Sequence, residues 1–216
     1  MREAVRGLAG RCPVCVVSGR DRSVVQRLMG LEDLVVAASH GFDIWAPRTG
    51  TISHDAATGF GDLLSRVTQR LRAGVEPCHG ASVEVKQASV AVHYRLVGEE
   101  EHRYVQSVVE ALLADHPDEL KVTPGKMVYE IQPKLDWHKG KAVLFLLRTL
   151  GLDGDEIVPL YIGDDITDED AFRALAGRGI GIVVAGDPPD TDRTTAADFM
   201  LDSTGDVELF LNTLAR

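Results

Sequence analysis

The chain has 216 residues, of which 44% are hydrophobic and 26% charged, and its formal net charge at pH 7 is −10. This composition is that of a folded globular protein and excludes an intrinsically disordered chain. The acidic balance argues against a nucleic-acid partner, because nucleic-acid binding depends largely on phosphate neutralisation by lysine and arginine. The longest apolar runs, such as residues 142–147, are too short for a membrane span.

The amino-terminal residues lack the sustained apolar stretch of a secretory signal, so a cytoplasmic location is expected. Three cysteines are too few for a disulfide framework in a chain of this length, which fits a reducing compartment. Cys12 and Cys15 form a Cys-x-x-Cys pair that could act in redox chemistry or, with Cys78 and His79, bind zinc. Because Cys15 enters an apolar run instead of opening a helix, we interpret the cysteines as small buried hydrophobic residues.

Both ends of the chain alternate short apolar strands with amphipathic helices, the pattern of a doubly wound α/β fold with a parallel sheet. The first part predicts a helix over 2–10, a strand over 13–17, a helix that Gly30 ends, and a strand over 34–38. The last part predicts a helix over 140–150, a helix that begins at Asp168 and a helix that ends at Leu214. It also predicts strands over 158–162 and 180–185 and near Met200.

The middle of the chain has a different pattern. It predicts amphipathic helices over 60–74 and 99–116, and alternating strands over 82–86, 90–97 and 127–132. We therefore expect a core of residues 1–53 and 134–216 with an inserted α+β domain of residues 54–133.

An acidic cluster follows the predicted strand 158–162. Asp164 and Asp165 lie at the carboxyl end of that strand, where open α/β sheets place their ligand crevices. Clustered carboxylates repel one another unless a hard cation such as Mg²⁺ joins them. We predict a metal site at Asp164, with Asp165 and Asp168 as further candidates; the alternative is a helix start that Thr167 caps, with acids suited to the helix dipole.

Two other positions suit a phosphoryl group. Ser18 ends a strand and precedes a helix, so its hydroxyl and the neighbouring N–H groups could bind phosphate, although Ser18 or Asp21 could instead cap that helix. Lys139 and Lys141 open a helix, where positive charge opposes the helix dipole and a nearby anion would explain them. We predict Lys139 as the phosphate partner and Lys141 on the solvated face.

The inserted strands carry charged pairs at period two. Glu84 and Lys86 point to one side of their strand, and His93 and Arg95 to one side of theirs, with Glu130 on a neighbouring strand. These side chains could form an exposed sheet face or recognise sugar hydroxyls.

Three motifs resemble those of the haloacid dehalogenase superfamily: residues 17–20 (Val-Ser-Gly-Arg), 139–142 (Lys-Gly-Lys-Ala) and 163–169 (Gly-Asp-Asp-Ile-Thr-Asp-Glu). Within it, the chain resembles the trehalose-6-phosphate phosphatases, also through residues 39–41, 83–86, 89–95 and 125–130. The resemblance implies a Rossmann-like core with an inserted cap, and Mg²⁺-dependent hydrolysis of trehalose 6-phosphate to trehalose and phosphate.

The same resemblance implies roles for single residues. Ser18 and Lys139 would be catalytic and bind the transferred phosphoryl group, and Asp164 would ligate Mg²⁺ with support from Asp165 or Asp168. The cap would act as a lid over the sugar. The implied substrate-binding residues are Arg20, Glu84, Lys86, His93, Arg95 and Glu130.

One family motif is missing from the 216 residues. The Asp-x-Asp-Gly-Thr motif, which supplies the nucleophile, does not occur; the first aspartate is Asp21, and the Asp-x-Asp triplets at 153–155, 168–170 and 190–192 do not follow a strand as required. The strand before that motif is central in the family's sheet, so its neighbours would be left with unpaired backbone groups. We expect an inactive, truncated phosphatase; the alternatives are a non-catalytic sugar-phosphate-binding module and a phosphatase for another sugar phosphate.

Overall fold

The computed structural model describes residues 1–53, 59–86, 88–125, 127–186 and 194–216. The predicted domain boundary near His54 and the triplet at 190–192 lie outside the described residues. Among those described, no helix is both long and apolar enough to cross a bilayer. The helices are α1 (Arg2–Ala9), α2 (Arg22–Met29), α3 (Gly61–Val75), α4 (His102–Asp115), α5 (Lys139–Thr149), α6 (Glu169–Leu175) and α7 (Thr204–Leu214). The strands are β1 (Cys15–Val17), β2 (Val35–Ala38), β3 (Asp43–Ala46), β4 (Gly50–Ile52), β5 (Ser82–Val85), β6 (Val90–His93), β7 (Leu120–Gly125), β8 (Val128–Pro133), β9 (Leu160–Gly163), β10 (Ile180–Val184) and β11 (Phe199–Leu201).

The chain divides into two compact units. The first, called the core unit, comprises Met1–Ile52 and Trp137–Arg216, and the second, called the insert unit, comprises Ser53–Asp136. Each unit has its own sheet structure and its own buried side chains.

The core unit confirms the predicted α/β class with parallel strands. One sheet has the order β1-β2-β3-β4, in which β1 and β2 are parallel and β3 and β4 add antiparallel strands. The other has the order β11-β10-β9 and is entirely parallel. Strands β3 and β4 were not predicted, because neither Asp43–Ala46 nor Gly50–Ile52 is a continuous apolar run of the kind that indicated β1 and β2.

The two sheets of the core unit end at β1 and β9. Among the described residues, each of these strands pairs with a neighbour on one side only. An apolar cleft of about 560 Å³ is lined by both strands and by helices on either side, including Val5 of α1, Val16 of β1, Leu147 of α5, Ile162 of β9 and Leu211 of α7. The cleft thus has an apolar lining and lies between the edge strands β1 and β9 of the two sheets.

The insert unit is an antiparallel sheet with the order β5-β6-β8-β7, packed against α3 and α4. Val67 and Leu71 of α3, Val105 and Val109 of α4 and Ile131 of β8 are almost completely buried. Both predicted helices and all three predicted strands are present. The predicted strand 90–97 ends at His93. Strand β7 was not predicted, because its alternation covers only four residues before a proline and a glycine, which are rare inside strands.

Candidate functional site

A tight turn follows β1 in the core unit. The Arg20 N–H donates to Ser18 Oγ over 3.1 Å, so the hydroxyl folds back over the turn and does not cap α2. Asp21 occupies the N-cap position of α2, but its carboxylate accepts a hydrogen bond from Ser39 Oγ at 3.2 Å instead of capping the helix. Ser18 is half-buried and Arg20 is exposed. The Ser18 hydroxyl is therefore held next to the carboxyl end of β1.

A strained turn is tied to the Ser18 turn. Ser39, His40 and Gly41 all have left-handed backbone, with φ of 48°, 57° and 91°. The His40 N–H donates to Ser18 O at 2.8 Å, and the Ser39 N–H donates to Arg20 O at 2.9 Å. Left-handed backbone costs roughly 1–2 kcal/mol for a residue other than glycine, and such strain is concentrated at functional sites.

The imidazole of His40 occupies the space beside Gly19. A Cβ at Gly19 would lie 2.6 Å from both Cε1 and Nε2 of the ring. His40 was not predicted as a site residue, although it lies in the stretch 39–41 that resembles the family and precedes Gly41, which suits left-handed backbone. On the other side of the turn, Gly41 packs so closely on Ala142 of α5 that a Cβ there would overlap the alanine side chain. The strained turn therefore connects the Ser18 turn with the first turns of α5.

A buried ion pair links the start of α5 to the segment after β9. Lys139 and Asp168 are only 6% and 3% exposed. Lys139 Nζ donates to Asp168 Oδ1 at 2.7 Å, and Tyr161 OH donates to the same oxygen at 2.6 Å. Asp168 Oδ2 accepts from the backbone N–H groups of Asp164 at 3.1 Å and Asp165 at 2.9 Å. The carboxylate therefore has four donors and fixes both Lys139 and the acidic loop.

These contacts determine the protonation of the cluster. Burial would raise the pKa of the Asp168 carboxyl, but the hydrogen bonds from Lys139, Tyr161 and the Asp165 N–H, together with the charge of Lys139, lower it below its usual value. Burial, followed by the negative charge of Asp168, raises the pKa of Tyr161. Asp168 is therefore ionised and Tyr161 is a neutral donor at physiological pH.

The fit of the acidic residues to a metal ion is incomplete. Asp165, not Thr167, caps the turn that precedes α6: its Oδ1 accepts from the Ile166 N–H at 2.6 Å, and it forms a capping box with Asp168. Asp168 is saturated with donors, which leaves the exposed Asp164 as the best candidate ligand. Within the part of the chain that the structure describes, no group of three His, Cys, Asp or Glu side chains could hold a metal ion.

The insert unit brings most of its predicted site residues together in two groups. His93 Nε2 lies 2.8 Å from Glu84 Oε2 across β5 and β6. Lys86 Nζ and Ser89 Oγ donate to Glu130 Oε1 at 3.3 and 2.7 Å. Ser89, which is only 4% exposed, was not among the predicted binding residues.

Arg95 is exposed and lies beyond the end of β6, so strand alternation does not place it with His93 as predicted.

The cysteines also differ from one another. Cys12 is exposed, contrary to the expectation of burial, whereas Cys78 is buried. Burial raises the pKa of the Cys15 thiol to about 11, which keeps it protonated and unreactive.

The sequence is similar to a family of phosphatases along most of its length. A family model described as trehalose-phosphatase matches residues 1–204. The chain is 40% identical over 231 residues to a trehalose 6-phosphate phosphatase of Zea mays, which covers 100% of this chain and 63% of that protein. It is 42% identical over 215 residues to the trehalose-phosphate phosphatase of Mycobacterium tuberculosis strain H37Rv, which covers 99% of this chain and 54% of that protein. The chain thus spans between 54% and 63% of the length of these two relatives.

Solved structures share the fold. The crystal structure of a trehalose-6-phosphate phosphatase related protein superposes with a TM-score of 0.73 at 21% identity, covering 99% of this chain and 85% of that one. The Aspergillus fumigatus trehalose-6-phosphate phosphatase gives a TM-score of 0.64 at 26% identity, with coverage of 99% and 82%. A haloacid dehalogenase-like hydrolase from Bacteroides thetaiotaomicron gives 0.71 at 13% identity, with coverage of 99% and 91%.

Proposed function

Because the chain belongs to the trehalose-phosphatase family, we propose that it is the greater part of an enzyme that hydrolyses trehalose 6-phosphate to trehalose and phosphate. The observation that carries the proposal is the buried Lys139–Asp168 pair at the start of α5, joined through the Ser39–Gly41 turn to the Ser18 turn. A protein interior holds such a pair only at a cost in desolvation, so a functional reason for it is expected. The reaction is a step of trehalose biosynthesis, and the small number of cysteines supports a cytoplasmic location.

Ser18 and Lys139 would each contribute a donor to the phosphoryl group. The Lys139 ammonium has three protons, of which one is directed to Asp168. The others would bind an anion, as would the Ser18 hydroxyl proton, while Asp168 prevents the lysine from changing position. Donors that are fixed before the substrate arrives stabilise the charge that develops during phosphoryl transfer without further reorganisation.

The nucleophile would come from outside these 216 residues. The sequence contains no Asp-x-Asp-Gly-Thr motif, and the cleft between β1 and β9 has the apolar lining and the two open strand edges that a further parallel strand needs. We infer that the chain as given does not release phosphate and that a strand in this cleft would carry the aspartate that attacks phosphorus.

Magnesium is part of the proposal through the family, with Asp164 as its ligand in this chain. The other ligands would come from outside the described residues, because Asp165 and Asp168 are engaged in capping and in holding Lys139. The substrate phosphate would depend on this chain's own donors, Ser18 and Lys139.

The insert unit would bind the sugar. Its outer sheet face presents the Glu84–His93 pair and the Lys86–Glu130 pair, and alternating donors and acceptors at fixed positions suit the hydroxyl groups of a disaccharide. We extend this role to the exposed side chains of Arg20 in the core unit and Arg95 in the insert unit.

A second candidate is a non-catalytic module that binds sugar phosphates. The missing nucleophile motif favours it, since Ser18 and Lys139 are present without a group that could attack phosphorus. This module would need the same phosphate contacts but no additional strand. A third, a phosphatase for another sugar phosphate, differs only in the hydroxyls that the insert unit recognises.

The deciding experiment compares the 216-residue chain with a chimera in which a β-strand followed by Asp-x-Asp-Gly-Thr precedes Met1. Phosphate release is measured from trehalose 6-phosphate and glucose 6-phosphate over a Mg²⁺ titration, with Asp164→Asn as the control. Release by the chimera alone, with a preference for trehalose 6-phosphate and loss in the control, supports the proposal. Substrate binding by both proteins without release supports the binding module, and equal rates on the two substrates exclude the disaccharide specificity.

A further inference from the structure

Tyr161 lies outside the sequence motifs but touches the centre of the site. It is on β9, two residues before Gly163, and its hydroxyl donates to Asp168 Oδ1 at 2.6 Å. The same oxygen accepts from Lys139 Nζ at 2.7 Å. Two donors, one neutral and one charged, therefore share one carboxylate oxygen.

The phenol ring is held by packing. It meets the Phe172 ring edge-on, with centroids 5.7 Å apart and an interplanar angle of 79°. It also packs against the buried cluster that includes Val143 and Leu147 of α5 and Leu175 of α6. The hydroxyl is thus carried by a rigid aromatic side chain between two helices and does not depend on a flexible chain for its position.

The second donor changes what Lys139 can do. A buried carboxylate with the ammonium as the only donor at Oδ1 would draw Lys139 into a tight pair and compete with an incoming anion. A phenol hydroxyl that donates to the same oxygen satisfies part of the hydrogen-bonding capacity of the carboxylate and fixes the orientation of the carboxylate. Because Asp164 and Asp165 hold Oδ2 through backbone N–H groups, the carboxylate cannot rotate, and the lysine is fixed with it.

We propose that Tyr161 is a positioning residue that acts through Asp168 to hold the Lys139 ammonium where it binds a phosphoryl anion, an inference that rests on the proposed function of Lys139. Tyr161 does not itself contact the phosphoryl group. A purely structural role would predict a loss of stability alone, whereas positioning predicts a loss of anion affinity that depends on Lys139.

The test uses the 216-residue chain and inorganic phosphate, with dissociation constants from calorimetric titration and folding checked by circular dichroism. Tyr161→Phe removes only the hydroxyl, and Tyr94→Phe, the same change in the insert unit, is the matched control. We expect phosphate affinity to fall about fivefold to tenfold in Tyr161→Phe and to stay within about twofold of the wild type in the control.

A double-mutant cycle separates positioning from structure. In a Lys139→Met background, Tyr161→Phe should weaken the remaining phosphate binding by less than about twofold, because the residue through which Tyr161 acts is absent. An equal loss in both backgrounds, or unchanged affinity in Tyr161→Phe, would overturn the role of Tyr161 while leaving the proposed function intact. Wild-type chain that is folded but binds no phosphate would overturn both. Should Tyr161→Phe fold poorly, 4-fluorophenylalanine at position 161 replaces it, because this residue keeps the ring and its packing on Phe172 but cannot donate a hydrogen bond to Asp168. The same loss of phosphate affinity, about fivefold to tenfold, supports positioning, and unchanged affinity overturns it.

Discussion

Replacing Lys139 by methionine should destabilise the core unit more than any comparable change of a lysine on the same helix. The substitution keeps the length of the side chain but removes the charge that pairs with Asp168, and both residues are almost fully buried. Removing one partner of a buried ion pair typically costs about 3–5 kcal/mol, because the other charge remains buried. Asp168 keeps the Tyr161 hydroxyl and two backbone donors, so we expect the lower end, about 3 kcal/mol.

Lys141→Met is the matched control. Lys141 lies two residues further along α5 and is half-exposed, so both variants relieve the same unfavourable interaction with the helix dipole, and their difference reports the buried pair. We expect the control to change the free energy of unfolding by less than about 0.5 kcal/mol.

Urea unfolding followed by circular dichroism at pH 7.5 and pH 5 measures both variants. The loss caused by Lys139→Met should be smaller at pH 5, because an Asp168 without its lysine is neutralised more easily by protonation. Equal stability of the two variants at pH 7.5, with unchanged m-values, would show that Asp168 does not depend on Lys139 and would refute the reasoning.

Three further outcomes follow from single sites. Gly41→Ala should lower the free energy of unfolding in urea by about 2–4 kcal/mol, because it adds an overlap with α5 to the strain of a φ of 91°. The control Gly50→Ala, with a φ of 74° and no atom within 4 Å of the added Cβ, should lower it by only about 1–2 kcal/mol. Asp168 has a lowered pKa in the folded state, so its contribution to the free energy of unfolding is complete above its unfolded pKa of about 3.9. That contribution is lost as the pH falls through the folded-state pKa. A pH series of unfolding midpoints should show this loss in wild type and not in Asp168→Asn. With a thiol reagent at pH 8, the exposed Cys12 should react roughly tenfold or more faster than Cys15, which is half-buried and whose pKa of about 11 keeps it a thiol; equal rates in the native chain would contradict this difference.

The hydrophobic periodicity of the sequence was sufficient to predict most of the helices and strands. Helices such as α3 and α4 and strands such as β10 lie within a few residues of their predicted bounds, because the residues that bury each element recur at 3.6 or two positions along the chain. Strands in which such a pattern is short or interrupted, β3, β4 and β7, were not predicted. Their stability comes from pairing with neighbours, which is a property of the sheet and not of the segment.

The candidate site was also predictable only in part. The sequence alone placed Ser18, Lys139 and Asp164 at strand or helix ends, because the local residue pattern indicates where a strand stops and a helix starts. It could not show that Asp168 pairs with Lys139, 29 residues away, or that Lys86 reaches Glu130 across 44 residues. The roles of His40 and Tyr161 depend on what packs beside them, Gly19 and Asp168.

The amino-acid pattern is therefore sufficient for the class of fold, the positions of most helices and strands, and the kinds of side chain at their ends, since these depend on near neighbours along the chain. Which of those side chains share hydrogen bonds depends on how the elements pack. Asp168 was a candidate metal ligand by its spacing, and it became the anchor of Lys139 because that lysine, 29 residues away, and three donors from residues 161–165 converge on its two oxygens. Such convergence is a property of packing in three dimensions, and no spacing along the chain records it.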